Sequence, residues 1–337
     1  MDPNKTIAAL GEFGLIDTLW RPLSRSKDRD VILGIGDDAA ILSVTGDRHL
    51  LITTDTLVAG THFDLQVDPV LLGQKALRVN LSDIAAMGGQ PRWYLLSLNL
   101  PPTTPLSWIT NFSKGLAAAS QEFGVTLVGG DTVSGGDRVQ IGITLLGLGE
   151  PGRATLRSMA RPGDLIGVTG TIGDAGFGFA VQQGRYLGLS EADRLFFQQR
   201  FLLPTPRLSF GVEACESGVV HAMMDISDGL LADLTHICRA SGVGAAIQTE
   251  QIPLSASGQR MVDNFGIEAL ESALTAGEDY ELLLTLPPAA WQRIVEIGQQ
   301  VGVSVTKIGY IIPAPPRVEV YREGQIHQVG TRGWTHF

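Results

Sequence analysis

Apolar positions recur along the chain with two different periods, one of three to four residues and one of two, and these separate expected helices from expected strands. Ile7, Leu10, Leu15 and Leu19 share a face, which predicts a helix over Thr6–Leu19. Short β-rich runs around Val31–Ile35 and Leu50–Thr54 read as strands. Pro69–Met87 reads as a long helix with Leu72, Ala76, Val79, Ile84 and Met87 near one face, closed by Gly88, Gly89 and Pro91. A strand at Tyr94–Leu100, a helix at Leu106–Phe123 and strands at Val125–Val128 and Val139–Gly147 complete an α+β first half.

The run Gly149-Glu150-Pro151-Gly152-Arg153 is turn chemistry without hydrophobic period, and it sets an expected boundary between residues 1–148 and 149–337. Beyond it, strands are expected at Asp164–Thr169, Ala222–Asp225, Ala245–Gln248, Tyr280–Leu286, Val303–Ile312 and Val318–Tyr321. Helices are expected at Ala175–Gly184, Glu191–Phe201, Leu230–Ala240 and Ala289–Val301. The predicted fold class is therefore two domains, α+β followed by α/β, with no readable internal repeat.

Composition narrows the function. At 44% hydrophobic and 18% charged residues the chain is globular rather than disordered. The 35 acidic against 25 basic side chains, a net charge of -10, argue against nucleic acid as a partner. No window approaches the roughly 18 apolar residues of a membrane span, and the N-terminus lacks a leader pattern, so the expected location is the cytoplasm. Cys215 and Cys238 are too few for a disulfide framework or a cysteine zinc site. The 41 glycines are a surplus over the usual content of about 7%, with neither a collagen period nor a low-complexity tract.

A glycine-rich α/β chain invites a search for phosphate loops. The Walker-type Gly-x-x-x-x-Gly-Lys-Ser/Thr pattern is absent, and the Gly147, Gly149, Gly152 match to G-x-G-x-x-G is contradicted by Pro151 and by the lack of a following helix. What recurs instead is acid at or just beyond the ends of strands, in loops rich in Gly, Ser and Thr: Asp37-Asp38, Thr53-Thr54-Asp55, Gly129-Gly130-Asp131 and Asp225-Ile226-Ser227-Asp228-Gly229. Asp83 joins them from a helix. Singly, each is a turn former or a helix cap, as Asp228 is for the helix from Leu230. Together, carboxylates gathered in one cleft call for cations, and hydroxyl and carboxylate oxygens suit Mg²⁺, with zinc poorly served by six His and two Cys. Several Mg²⁺ ions beside glycine loops point to chemistry on phosphates.

The motifs Gly34-Ile35-Gly36-Asp37-Asp38-Ala39-Ala40, Thr53 through Phe63, Lys75 through Gly88, Gly129-Gly130-Asp131-Thr132, Asp225 through Leu230 and Gly277 through Leu282 occur in one order over nearly the whole chain. In that set and order the chain resembles the thiamine-monophosphate kinase family. The resemblance implies the two-domain fold of aminoimidazole ribonucleotide synthetase, with the N-terminal sheet pairing in a homodimer. It also implies transfer of the γ-phosphoryl group of ATP to thiamine monophosphate. It places several Mg²⁺ ions on Asp38, Thr53, Thr54, Asp55, Asp83, Asp131, Asp225 and Asp228. Nucleotide contacts fall on Gly130, Asp131, Arg157 and Ser227, and substrate contacts on His62, Glu278 and Trp334. The N-terminal domain would carry metals, ATP phosphates and dimerisation, and the C-terminal domain would complete the site. Ala276 stands where the family frequently has Gly.

Plainer readings stand beside these. His62 can be a loop histidine, Trp334 an anchor for the tail, Arg157 a surface cation and Glu278 part of a turn; Lys75 is expected on a solvated helix face. The acceptor, a phosphate monoester with a second pKa near 6, is already an anion at neutral pH, so no general base is required or assigned. Direct in-line transfer, with Asp38, Asp55, Asp83 and Asp131 bridging metals, is the expected mechanism. Two other functions remain open: a related ATP-dependent synthetase that releases phosphate, and a non-catalytic Mg²⁺-nucleotide sensor.

Overall fold

The computed structural model describes residues 16–20, 22, 31–33, 41–42, 48–150, 153–330 and 333. Of the helix expected over Thr6–Leu19, only the end falls among them, as a π turn at Ile16–Trp20. Asp37, Asp38 and Trp334 lie outside the described residues. Two units divide the chain, one within Met1–Ile84 and Gln90–Pro151, the other within Ala85–Gly89 and Gly152–Phe337.

In the first unit β1 (Val31–Leu33) pairs with β2 (Ile41–Leu42). A four-stranded sheet is built from β3 (His49–Val58), β4 (Gln90–Asn99), β5 (Thr126–Val133) and β6 (Gln140–Gly149) in the order β3-β6-β4-β5, with only β4 and β5 parallel. Helices α1 (Pro69–Ala86) and α2 (Leu106–Phe123) lie on one face. Proline opens α1 and Asp68 caps it, its Oδ1 accepting the Val70 amide at 2.9 Å. Along α1, Lys75, Arg78, Asn80 and Ser82 are buried together with the apolar residues. Lys75 is 0% exposed, so the solvated face expected for it is wrong: this helix is covered nearly all round. The opposite face of the sheet is open, and the cross-strand neighbours Leu50–Leu148, Ile52–Leu146 and Thr54–Thr144 run along it. Ile52 remains 63% exposed there.

Two strands run further than their apolar cores suggest. β3 continues through Asp55 to Val58, and β5 through Gly129, Gly130 and Asp131 to Val133. The acidic positions expected in loops after these strands are therefore inside them, where side chains alternate between faces.

The second unit holds a seven-stranded sheet of β7 (Leu165–Thr169), β8 (Ala222–Asp225), β9 (Gly244–Gln248), β10 (Leu282–Leu286), β11 (Val305–Ile312), β12 (Val318–Arg322) and β13 (Gln325–His327). Its order is β13-β12-β9-β11-β7-β10-β8, and only β12 and β9 are parallel. Around it are α3 (Asp174–Gln182), α4 (Glu191–Leu202), α5 (Leu208–Ser217), α6 (Leu230–Ser241), α7 (Ala256–Thr275) and α8 (Trp291–Gln300). The period of two in β10 divides the core: Leu283 packs in the cluster with Leu230, Leu234 and Ile237 of α6, while Leu282, Leu284 and Leu286 pack in the one with Phe210, Ile294 and Ile297. α5 and α7 were not expected from the sequence. A glycine sits within α5, and α7 is interrupted at Gly266 (φ 63°), so neither shows an unbroken helical period.

Candidate active site

In the first unit β3 brings two motif residues to the helix-covered face. Thr53 Oγ1 donates to Asp83 Oδ2 of α1 at 2.6 Å, and the Asp55 amide donates to Asn80 Oδ1 at 3.1 Å. Asn80 is itself oriented by donating to the Ala76 carbonyl at 3.0 Å. Thr53, Asp55 and Asp83 thus form one oxygen-rich set, with Asn80 holding the strand in place. Thr54 is not part of it: its Oγ1 meets the Ile143 carbonyl and Thr144 Oγ1, both at 3.1 Å, on the opposite face.

Asp131 is separated too. In register it lies opposite Ser97, which is opposite Gly142, which is opposite Thr56, so its side chain shares the open face with Thr54. Three strand spacings, roughly 14 Å, divide it from β3. A single chain therefore does not gather Asp55, Asp83 and Asp131 at one point. His62 closes the turn after β3, its Nδ1 accepting the Val58 amide at 3.0 Å, which fixes the proton on Nε2.

In the second unit the two remaining motifs clasp each other. The Glu278 amide donates to the Ser227 carbonyl and the Tyr280 amide to the Ile226 carbonyl, both at 2.8 Å, while the Ile226 amide donates to the Glu281 carbonyl at 2.8 Å. The approach demands glycine: a Cβ on Gly277 would stand 2.0 Å from the Ser227 carbonyl oxygen, and one on Gly229 would stand 2.5 Å from that of Thr275. Glu278 (φ 78°) and Tyr280 (φ 51°) are held in the left-handed region, a strained conformation for side-chain-bearing residues. Ser227, Asp228 and Glu278 are thereby brought together, with Asp225 buried at the end of β8. Gly333 reaches the same place, a Cβ there falling 2.9 Å from the Asp228 carbonyl oxygen. Arg157 does not: its carbonyl accepts from Ser241 Oγ at 3.0 Å, at the far end of α6, about 18 Å of helix from Gly229.

Three buried acidic side chains in or beside these loops carried no site assignment from the sequence. Asp233 accepts the amides of Ser227, Asp228 and Gly229, and burial together with the Asp228 charge pushes its pKa up to about 7. One ligand atom each from Asp228, Asp233 and His236 lie within 4.8 Å of one another. Asp279 accepts the Gly173 and Ala175 amides, and burial pushes it up to about 8. Glu281 is fully engaged by Arg207, Arg200 and Thr169 Oγ1. Arg200 and Arg207 lie in no motif. Their only sequence signal is basic character beside a helix end. The ligating atoms of Thr53, Asp55 and Asp83 in the first unit, and separately those of Asp225 and Asp228 in the second, are oxygens with no thiol among them, a chemistry that fits a hard cation such as Mg²⁺.

Family models for the N-terminal and C-terminal domains of AIR synthase related protein match residues 36–149 and 161–321. Thiamine-monophosphate kinase of Salmonella typhimurium is 42% identical over 330 residues, covering 98% of this chain and 99% of that protein. The chain belongs to the thiamine-monophosphate kinase family. Among solved structures of the family, that of thiamine-monophosphate kinase from Stenotrophomonas maltophilia K279a is 36% identical and covers 94% of this chain and 98% of its own, with a TM-score of 0.81. The structure of AaThiL complexed with AMPPCP and TMP is 35% identical, covers 98% of each chain and has a TM-score of 0.76. The two-domain fold expected from the motifs is that of this family.

Proposed function

We propose that this thiamine-monophosphate kinase family member transfers the γ-phosphoryl group of ATP to thiamine monophosphate, giving thiamine diphosphate and ADP. The observation that carries the reading is the clasp of the Asp225–Gly229 and Gly277–Glu281 loops, which presents carboxylates beside a strained Glu278. Its occupancy by ATP and thiamine monophosphate is supported by AaThiL, complexed with AMPPCP and TMP. Mg²⁺ ions, held by Asp38, Thr53, Asp55 and Asp83 and by Asp225 and Asp228, supply charge neutralisation and orientation for the two anions. Ser227 and Arg157 contact the nucleotide at opposite ends of α6, and a nucleotide extended along that helix reaches both. In the first unit Gly130 and Asp131 are the proposed nucleotide contacts, and Thr54 and Asp131 are proposed as further metal ligands, on the open face of its sheet. His62, Glu278 and Trp334 bind thiamine monophosphate, and the placing of Gly333 beside Asp228 supports Trp334 in that role.

The acceptor oxygen is already anionic at neutral pH, so the residues need to align two anions rather than remove a proton. Transfer is in line and direct. The division of labour is residues 1–148 for metals, ATP phosphates and dimerisation and 149–337 for completing the site. The uncovered face with Leu50, Ile52 and Leu146 supports a homodimer, and the proposed location is the cytoplasm, where ATP is supplied. Incubation with ATP and Mg²⁺, with and without thiamine monophosphate, tests the reading. Thiamine diphosphate and ADP in equal amounts are expected. Free phosphate would mark a synthetase, and binding without turnover a sensor. Inversion at a chiral γ-phosphate is expected; retention would sink direct transfer.

A further inference from the structure

Three successive backbone amides before α6, those of Ser227, Asp228 and Gly229, turn to the same side and each lies 3.1 Å from one atom, Asp233 Oδ2. Asp233 is 1% exposed and stands in the first turn of α6, where the helix start adds to the attraction. A concave run of amides is how loops bind phosphates and other anions. Here the run is occupied by an oxygen of the chain's own Asp233. The carbonyls of Ile226 and Ser227 are also engaged, by the Tyr280 and Glu278 amides. What the loop has left to offer a ligand is side-chain oxygen, on Ser227 and Asp228, the Asp228 carboxylate lying within 4.8 Å of Asp233 and His236.

Resting on the kinase reading above for what the loop binds, we infer that Asp233 is a positioning residue: it fills the anion nest of the loop before α6 and so converts it from an anion cradle into a cation-facing oxygen set. It acts through Ser227 and Asp228 and needs no contact with ATP. The rival is that Asp233 is itself a metal ligand, alongside Asp228 and His236.

Two variants separate these. Asp233→Asn can place its amide oxygen where Oδ2 sits and keep the three bonds without the charge, whereas Asp233→Ala releases all three amides. Hydrogen exchange at residues 227–229 is measured in the free protein, and affinity for AMPPCP with Mg²⁺ is measured by calorimetry. Asp233→Ala is expected to speed exchange at those amides by about tenfold or more, about 1.4 kcal/mol, and to weaken binding by a similar factor. Asp233→Asn is expected to restore both to within about threefold of the unmodified chain. Unchanged exchange in Asp233→Ala, or a binding loss that Asn does not rescue, overturns the inference, the second result in favour of direct ligation. If Asp233→Ala does not fold, Asp233→Asn alone decides: retained protection and binding support positioning, and a tenfold loss of binding overturns it. Neither readout needs turnover. A chain that binds Mg²⁺ and AMPPCP but makes no thiamine diphosphate therefore overturns the kinase reading without touching this one.

Discussion

Asp228 and Glu281 come from motifs of similar composition, glycine and acid beside a strand of the same sheet, and the fold uses them in opposite ways. In the loop after β8 the backbone is satisfied from within by Asp233, Tyr280 and Glu278, so the half-buried Asp228 carboxylate is not used to fasten the loop's backbone. In the loop before β10 the carboxylates themselves turn inward, Asp279 onto two amides and Glu281 onto two arginines and a threonine. An acidic motif thus divides into presented groups and fasteners, and what decides is whether the backbone has another partner. The glycines follow the same logic in this unit. Gly229 and Gly277 allow two chain segments to close on each other rather than letting a phosphate approach.

The comparison can be broken in order of expected effect. Asp83→Asn, which removes the charge of a presented group, should lower kcat by about a thousandfold with little change in melting; near-normal turnover at ordinary Mg²⁺ would remove Asp83 from the site. Glu281→Gln should do the reverse. It leaves Arg207, largely buried, without its counter-charge and Arg200 with only Asp174 at 3.8 Å, and is expected to cost about 3 kcal/mol in chemical denaturation, with kcat of the folded fraction preserved at low temperature. A large loss of kcat at full stability would make Glu281 a functional group. Asp279→Asn should change a slope. A carboxyl raised from 3.8 to about 8 by burial stabilises the fold below its unfolded pKa, and this is lost as pH rises to the folded value. The melting difference between the unmodified chain and Asp279→Asn should therefore fall steadily from about pH 4 to about pH 8 and then level off. A difference that does not vary with pH would mean that Asp279 is charged throughout.

Much of this was legible in the sequence, for identifiable reasons. The long period of α1 and its Pro69 start, the alternation in β6, the continuous apolar run of β10 and the order of six motifs are local signals, and α1 and α2 match their expected ranges within one residue. The failures are equally local in origin. The strand expected over Leu50–Thr54 stops at Asp55 because that residue is acidic, yet Thr56 and Val58 are β-branched and the strand runs on, its alternation placing Thr54 on the opposite face from Thr53 and Asp83. Asp131 falls on the open face for the same reason. Lys75 reads as solvated because charge suggests water, and only the packing of α1 reveals that it is enclosed. Asp233 accepts amides only four to six residues before it, and an acid in the first turn of a helix was the signal that could have found it, whereas Asn80 accepts the Asp55 amide through a tertiary contact that spacing along the chain does not encode.

The most direct test of presented against fastening acid pairs Asp228→Asn with Asp279→Asn and measures the Mg²⁺ concentration for half-maximal thiamine diphosphate formation, at a pH near 7. The account predicts a rise of about tenfold for Asp228→Asn with unchanged melting, and a value within about twofold of the unmodified chain for Asp279→Asn. Equal shifts in both variants, or none in Asp228→Asn, would contradict it.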